Sequence, residues 1–137
     1  MAYEEALRTI SLDADASVAE WTGVPGQPGS SVPNGGKQFR IVKITGAHQI
    51  GLSTAVVNEV SIGVLNSKPQ VLGAAATVAI SGVTNVVAGG TVAAGDGVKP
   101  AADGRGVTAV PGTDNAVRVG IALGSAAVGQ LFPCLLR

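Results

Sequence analysis

From Gln38 onward, apolar and polar positions alternate with a period close to two. In "EVSIGVL", Val60, Ile62 and Val64 fall on one parity and Glu59, Ser61 and Gly63 on the other. "AVRVGIAL" repeats the pattern with Val117, Val119 and Ile121. Successive side chains of a strand point to opposite faces, so each stretch predicts a strand with one buried face. "QFRIVKI" is apolar and β-branched and predicts another. "ATVAI" predicts a strand closed by a turn at Ser81-Gly82, and "VTNVV" one closed at Gly89-Gly90. The run Val71–Ala79 has the alanine content of a helix, but Thr77, Val78 and Ile80 are stiff at χ1 and favour a strand. Short strands punctuated by Gly or Pro roughly every 8–12 residues predict an all-β fold, a small barrel or sandwich.

Residues 1–36 read differently. They hold Glu4, Glu5, Asp13, Asp15 and Glu20, five of the nine acidic residues. "GVPGQPGSSVPNGG" (23–36) has three prolines and five glycines, a composition that excludes a helix or a central strand. The expectation is an extended N-terminal arm and loop over 1–36, ordered only where something holds it, followed by a β-domain over 37–137. Trp21, the only tryptophan, either folds back on its own domain or anchors the arm to a partner.

The β-domain carries a faint internal repeat. Val42-Lys43 aligns with Val98-Lys99, "GLST" (51–54) with "GVTA" (106–109), "SIGVLNS" (61–67) with "RVGIALG" (118–124), and Gly73 with Gly129. These ordered matches, all at offsets close to 56, suggest two similar halves over 38–82 and 94–137 about a pseudo-two-fold axis. The stretch "VVAGGTVAAGDGVKP" (86–100) would then carry the chain from one half to the other.

Composition narrows the function. Aromatic residues are 3% of the 137, so the core must be built from Val, Ile, Leu and Ala. Such a core is thin and invites support from partner subunits. Charged residues are 13%, about half of the usual ~25%. The formal net charge is zero, without the clustered Lys and Arg of a nucleic-acid footprint. Low surface charge also suggests that part of the surface is normally covered. Cys134 is the only cysteine and reads as a buried thiol. "MAYEEALRTI" lacks the apolar core of a signal peptide, and no apolar run reaches the ~20 residues of a membrane span. The expectation is a soluble intracellular product with no membrane partner.

No catalytic or metal-binding set emerges. "GAHQIGLS" (46–53) has phosphate-loop spacing but Leu52 in place of the lysine that meets the phosphates. "DADAS" (13–17) starts like a calcium loop, yet Val18 and Val24 stand where the turn glycine and the bidentate glutamate belong. His48, the only histidine, has no companion ligands for zinc and reads as a loop residue. Asp96 and Asp103 sit in glycine-rich turns, where aspartate caps its own backbone. Lys99 and Arg105 beside them read as solvated turn charges. The chain is therefore expected not to be an enzyme and to need no cofactor or metal.

One resemblance adds to this. Gly63–Pro69, Gly73, Val78–Gly82, Gly89–Lys99, Asp103–Thr108 and Val119–Leu123, followed by "GQLFPCLL", resemble in order the running pattern of capsid cement, or head decoration, proteins of tailed bacteriophages. The resemblance covers the chain from about Phe39 to its C-terminus; Asp103-Gly104-Arg105 is tighter than the family's spacing. It implies a small all-β structural protein on the outer capsid surface of the virion, made in the host cytoplasm. Such a protein binds the major capsid protein, often as a homotrimer, and stabilises the shell. The candidate capsid or partner contacts are then Tyr3, Arg8, Leu12 and Trp21 of the arm, with Phe39 and Arg40 where the β-domain begins. The alternative is a tail-tube or fibre-associated β-module of a virion.

Overall fold

The computed structural model describes residues 7–22, 32–33, 36–56, 59–115 and 117–137, with only the backbone described at 21–22 and 32–33. Every regular element among them is a strand: β1 (Arg8–Ala14), β2 (Trp21–Thr22), β3 (Val32–Pro33), β4 (Ile41–Gly46), β5 (Gln49–Leu52), β6 (Ser61–Leu65), β7 (Ala75–Val87), β8 (Gly97–Pro100), β9 (Gly106–Thr108), β10 (Gly120–Ala122) and β11 (Leu131–Leu136). The all-β expectation holds, and the architecture is a barrel. β1 pairs with β5 in parallel, and β5–β4, β4–β6, β6–β7 and β7–β1 are antiparallel, which closes a ring of five. The second half of β7 begins another ring, β7–β11–β10–β8–β9, closed by a parallel bridge from Gly106 to Ala88.

The two rings repeat residue for residue. Val42 faces Leu52 across β4 and β5, and Val98 faces Thr108 across β8 and β9. Val42 faces Gly63, and Val98 faces Gly120. Leu65 faces Val78, and Ala122 faces Cys134. The offsets are 56 or 57, as in the sequence alignment. β1 joins the repeat at an offset of 74: the bridge of Ala14 to Ile50 has its counterpart in Ala88 to Gly106. The larger offset arises because the first ring carries a longer connection between its first two strands, one that includes the short β2–β3 ladder.

This geometry corrects three expectations. Residues 8–20 are not part of an extended arm. β1 is a wall of the first ring, and Ala14, Val18 and Ala19 are fully buried. Their acidic, proline-flanked context hid a strand whose inward residues are Leu12 and Ala14. Ser81-Gly82 is not a turn. Gly82 has φ of 95°, and β7 runs through it without reversing. A glycine in that conformation bends a strand as readily as it reverses one, and here the bend moves β7 from one ring into the next. The stretch 86–100 therefore does not link the halves; it lies within the second ring, running from the end of β7 through β8.

Two cores follow from strand parity. Ala14, Val42, Ile50, Leu65, Ala76 and Val78 fill the first ring. Their counterparts Ala88, Val98, Ala122, Phe132 and Cys134 fill the second, with Val86, Val92 and Ala126. Ile41, Val64 and Ala79 have the opposite parity and face outward from the first ring. They are nonetheless fully buried, because they join the core of the second ring. β6 is thus covered on both faces. This explains why Gly63, Val64 and Leu65 are all buried; Val60, expected on the buried face, lies before β6 and is 75% exposed.

Candidate interaction surfaces

The seam between the rings is polar at its edge. Ile41 N–H donates to the Gly104 carbonyl at 2.7 Å, and Val87 N–H donates to the Phe39 carbonyl at 3.0 Å. Phe39 holds a left-handed backbone, φ 65°, and its own N–H reaches the Leu65 carbonyl at 2.7 Å. Arg40 Nη1 donates to the Asp103 carbonyl at 3.0 Å, and its Nε is buried without a partner among the described residues. Asp103 also accepts from Arg105 Nε at 2.7 Å. Burial would raise the Asp103 pKa, but the hydrogen bonds from Arg105, with the Arg105 and Arg40 charges, hold it below the usual carboxylate range.

Each ring also carries a lysine–carboxylate clamp at equivalent positions. Lys43 Nζ lies 2.7 Å from Glu59, which accepts Thr54 N–H at 2.7 Å. Lys99 Nζ lies 2.9 Å from Asp114, which accepts Val110 N–H at 2.8 Å. Lys99 is thus paired with Asp114, and Arg105 with Asp103, rather than freely solvated. Burial would raise Glu59, but hydrogen bonds from Lys43 and Thr54 outweigh it and lower its pKa. The Lys99 hydrogen bond, then that of Val110 N–H, lowers Asp114.

Folded pKa values below the unfolded ones add stability at pH above the ordinary carboxylate range, about 3.9–4.3. That stability is lost as pH falls through that range toward the lower folded values. Glu59→Gln with Asp114→Asn should therefore bring the urea midpoints at pH 7 and pH 3 closer together than in the parent chain. An unchanged gap would show that the clamps do not carry the acid sensitivity.

Of the residues expected to contact a partner, the structure brings Phe39 and Arg40 together in the seam. Tyr3 lies outside the described residues, as does the side chain of Trp21, whose backbone pairs with Pro33. Arg8 is exposed at the start of β1, beside Leu7 and Ile10. Leu12 packs against the core of the first ring. Phe39 and Arg40 belong to the seam and hold the rings to each other. Asp96 and Asp103 do cap turns: Asp96 accepts Ala93 N–H at 3.0 Å and Asp103 accepts Arg105 N–H at 3.2 Å. His48 sits at φ 55° in the β4–β5 turn, and its carbonyl accepts Asp13 N–H at 2.7 Å. Cys134 is buried inside the second ring, which pushes its thiol up to about 12; a thiol so placed is a poor nucleophile at neutral pH. Among the described residues, no three His, Cys, Asp or Glu side chains gather where they could hold a metal ion.

The surface itself is distinctive. A shallow groove of about 520 Å³ on the first ring is lined by Lys43, Ile44, Thr45, Glu59, Val60 and Ile62. On the second ring, Leu123 and Leu131 are 45% and 48% exposed, and Pro133 is exposed between them. Sequence patterning missed this second face because "LFPCLL" is apolar on both parities.

The described strands form a tandem pair of five-stranded barrels, with a groove of mixed polarity on the first ring and an apolar face on the second. The solved N base of head fiber gp8.5 in bacteriophage phi29 has a similar fold, with a TM-score of 0.61 and 20% sequence identity over 96% of this chain and 94% of that one. No protein-family model and no curated protein matches the sequence.

Proposed function

We propose that this protein is a structural component of a tailed-phage virion. In this reading it sits on the outer surface of the head, binds the major capsid protein as a homo-oligomer, with a trimer favoured, and reinforces the shell without catalysing a reaction. The observation that carries the reading is the fold shared with the phi29 head-fiber base over nearly the full length of both chains. The ordered motifs from Gly63 to Leu123 support it from the sequence side. A subunit with a short aliphatic core gains firm attachment by touching several capsid subunits at once, since linked weak contacts add through effective concentration. Leu7, Arg8 and Ile10, exposed at the start of β1, extend the N-terminal segment as the docking side.

A specific observation favours a second reading. The solved neighbour is the base of a fiber, so the tandem barrels would serve as a mount on the head for a projecting structure. Both readings place the chain on the head exterior. They differ in whether the shell depends on it. On the cementing reading, stripped heads rupture at lower temperature than decorated heads, and adding back the purified protein restores resistance at moderate salt. Equal rupture temperatures would remove the cementing role and leave the mount.

A further inference from the structure

The first barrel has an open end whose repeat equivalent is closed. Ile10 pairs with Val78 and Ile44 with Ile50, both core residues of the first ring, and residues directly opposite share a face. Ile80, two residues beyond Val78 on β7, has the same parity, and Ile62 packs on that core. β1 and β6 start at this end, and β4 and the first half of β7 finish there. Four strands thus each turn an isoleucine toward one mouth. The counterparts of Ile10, Ile44, Ile62 and Ile80 in the second ring are Thr84, Pro100, Val119 and Leu136.

The two mouths differ in what covers them. Thr84 and Leu136 are 7% and 6% exposed, and Pro100 is buried. The first ring supplies cover: its outward residues Ile41, Val64 and Ala79 share one core with Leu136, and Val119 packs on it. Thr84 Oγ1 donates to Asn66 Oδ1 at 3.0 Å. Ile41 N–H and Arg40 Nη1 reach the Gly104 and Asp103 carbonyls at the tip of the β8–β9 hairpin. At the first mouth, Ile10 and Ile80 are 38% exposed and Ile44 50%, and the groove runs past Ile44 and Ile62. The uncovered mouth is therefore wholly aliphatic where the covered one includes a threonine, the reverse of what solvent exposure favours.

We infer that the mouth of the first barrel is a socket for an extended segment of another protein, which inserts an aliphatic side chain among Ile10, Ile44, Ile62 and Ile80 and carries acidic residues beside it. The aliphatic requirement follows Ile41 in the seam. The acidic one follows the rim. Arg8 faces Ser81 across β1 and β7, and Arg137 lines the hollow beside Ile62 and Ile80. Neither arginine forms an ion pair among the described residues, whereas Lys43 is paired with Glu59. A second copy of this chain does not fit. Its own Ile41 is buried in its seam, and its second ring has Gly97 and Asp96 at the positions of Ile41 and Arg40. Glycine offers no plug, and a carboxylate cannot donate to a hairpin carbonyl. The inference rests on the proposed attachment to a head for the source of the segment, but not for its chemistry.

Two experiments on the full chain test it. The first needs no head. A synthetic peptide places Phe-Arg-Ile-Val, the order found at 39–42, between glutamates, and binding is read from the isoleucine methyl resonances. It should shift Ile10, Ile44, Ile62 and Ile80 and leave Ile121 in place. Ile44→Asp, with its thermal midpoint retained, should weaken binding about tenfold; Ile44→Ser is the milder variant. Lysines in place of the glutamates should weaken it about threefold. No shift of these methyls at about 1 mM peptide, or shifts unchanged in Ile44→Asp, would overturn the inference. The second puts a benzophenone photo-crosslinker at position 44 and adds the chain to stripped heads. The expected product joins it to a head-protein segment in which an aliphatic residue adjoins Asp or Glu. A crosslink to another copy of this chain, or none from a chain that has bound, would overturn the inference. A chain that binds the peptide but not heads would remove the proposed attachment and leave the socket standing.

Discussion

Phe132→Ala should destabilise the protein by about 3–5 kcal/mol, the range seen when a buried aromatic is truncated. Total stability of a domain is only about 5–15 kcal/mol. Phe132 is the largest fully buried side chain among the described residues and fills the second ring. The two rings solve one packing problem in two ways. In the first ring, Ile50 and Ala76 both lie in the core; at the repeat-equivalent positions the second ring has Gly106 and Phe132. A Cβ at Gly106 would sit 3.0 Å from Phe132 Cζ and 2.8 Å from Val86 Cγ1, so the glycine leaves room for the ring. Gly106→Ile should accordingly be destabilising alone but should recover at least about 1 kcal/mol when added to Phe132→Ala, since volume-conserving swaps are tolerated best. Urea denaturation of the four members of this cycle reads the coupling directly. A loss below about 1 kcal/mol for Phe132→Ala, or strict additivity in the double variant, would show that the rings are not packed equivalently.

Gly63→Ala and Gly120→Ala should each cost more than roughly 3 kcal/mol or give insoluble protein, placing them in the tail of single-substitution effects. The two glycines are repeat equivalents, and each is fixed by the same approach. A Cβ on Gly63 would overlap the Ala79 carbonyl oxygen, and one on Gly120 the Leu135 carbonyl oxygen. The obstacle is backbone in a paired strand, which cannot move aside as a side-chain tip can. Relief requires pulling β6 from β7, or β10 from β11. Gly36→Ala is the control: nothing lies within 4 Å of the added carbon, and the change should stay within about 0.5 kcal/mol. Thermal melts of the three variants are enough to decide it, and a Gly120→Ala protein as stable as Gly36→Ala would refute the packing.

Much of this fold was legible in the sequence. β-branched runs and period-two alternation identified β4, β6 and the body of β7. The offset of 56 could be read because Val-Lys, Gly63/Gly120 and Gly73/Gly129 serve backbone and clamp roles that restrict residue choice. Gly73 and Gly129, for example, have φ of 83° and 84°. β1 alternates Ile10, Leu12 and Ala14 with Thr9, Ser11 and Asp13, but acidic residues and a proline- and glycine-rich stretch adjoin it and its partners lie more than thirty residues away. The bend at Gly82 was not legible, since a glycine between two strands signals reversal and continuation equally. The clamps join residues distant in sequence, and Lys99 beside Asp96 suggested a turn charge when its partner is Asp114. Arg40, an expected partner contact, lies in the seam, where its Nη1 donates to the Asp103 carbonyl. The apolar face of the second ring became visible only when ring parity fixed which residues of β11 point inward.

Cryo-electron microscopy of the source particle tests the central claim most directly. The account predicts density on the outer surface of the head into which a tandem pair of five-stranded barrels fits as a body, with the start of β1 toward the capsid. Density for the chain found only in the tail, or inside the shell, would contradict it.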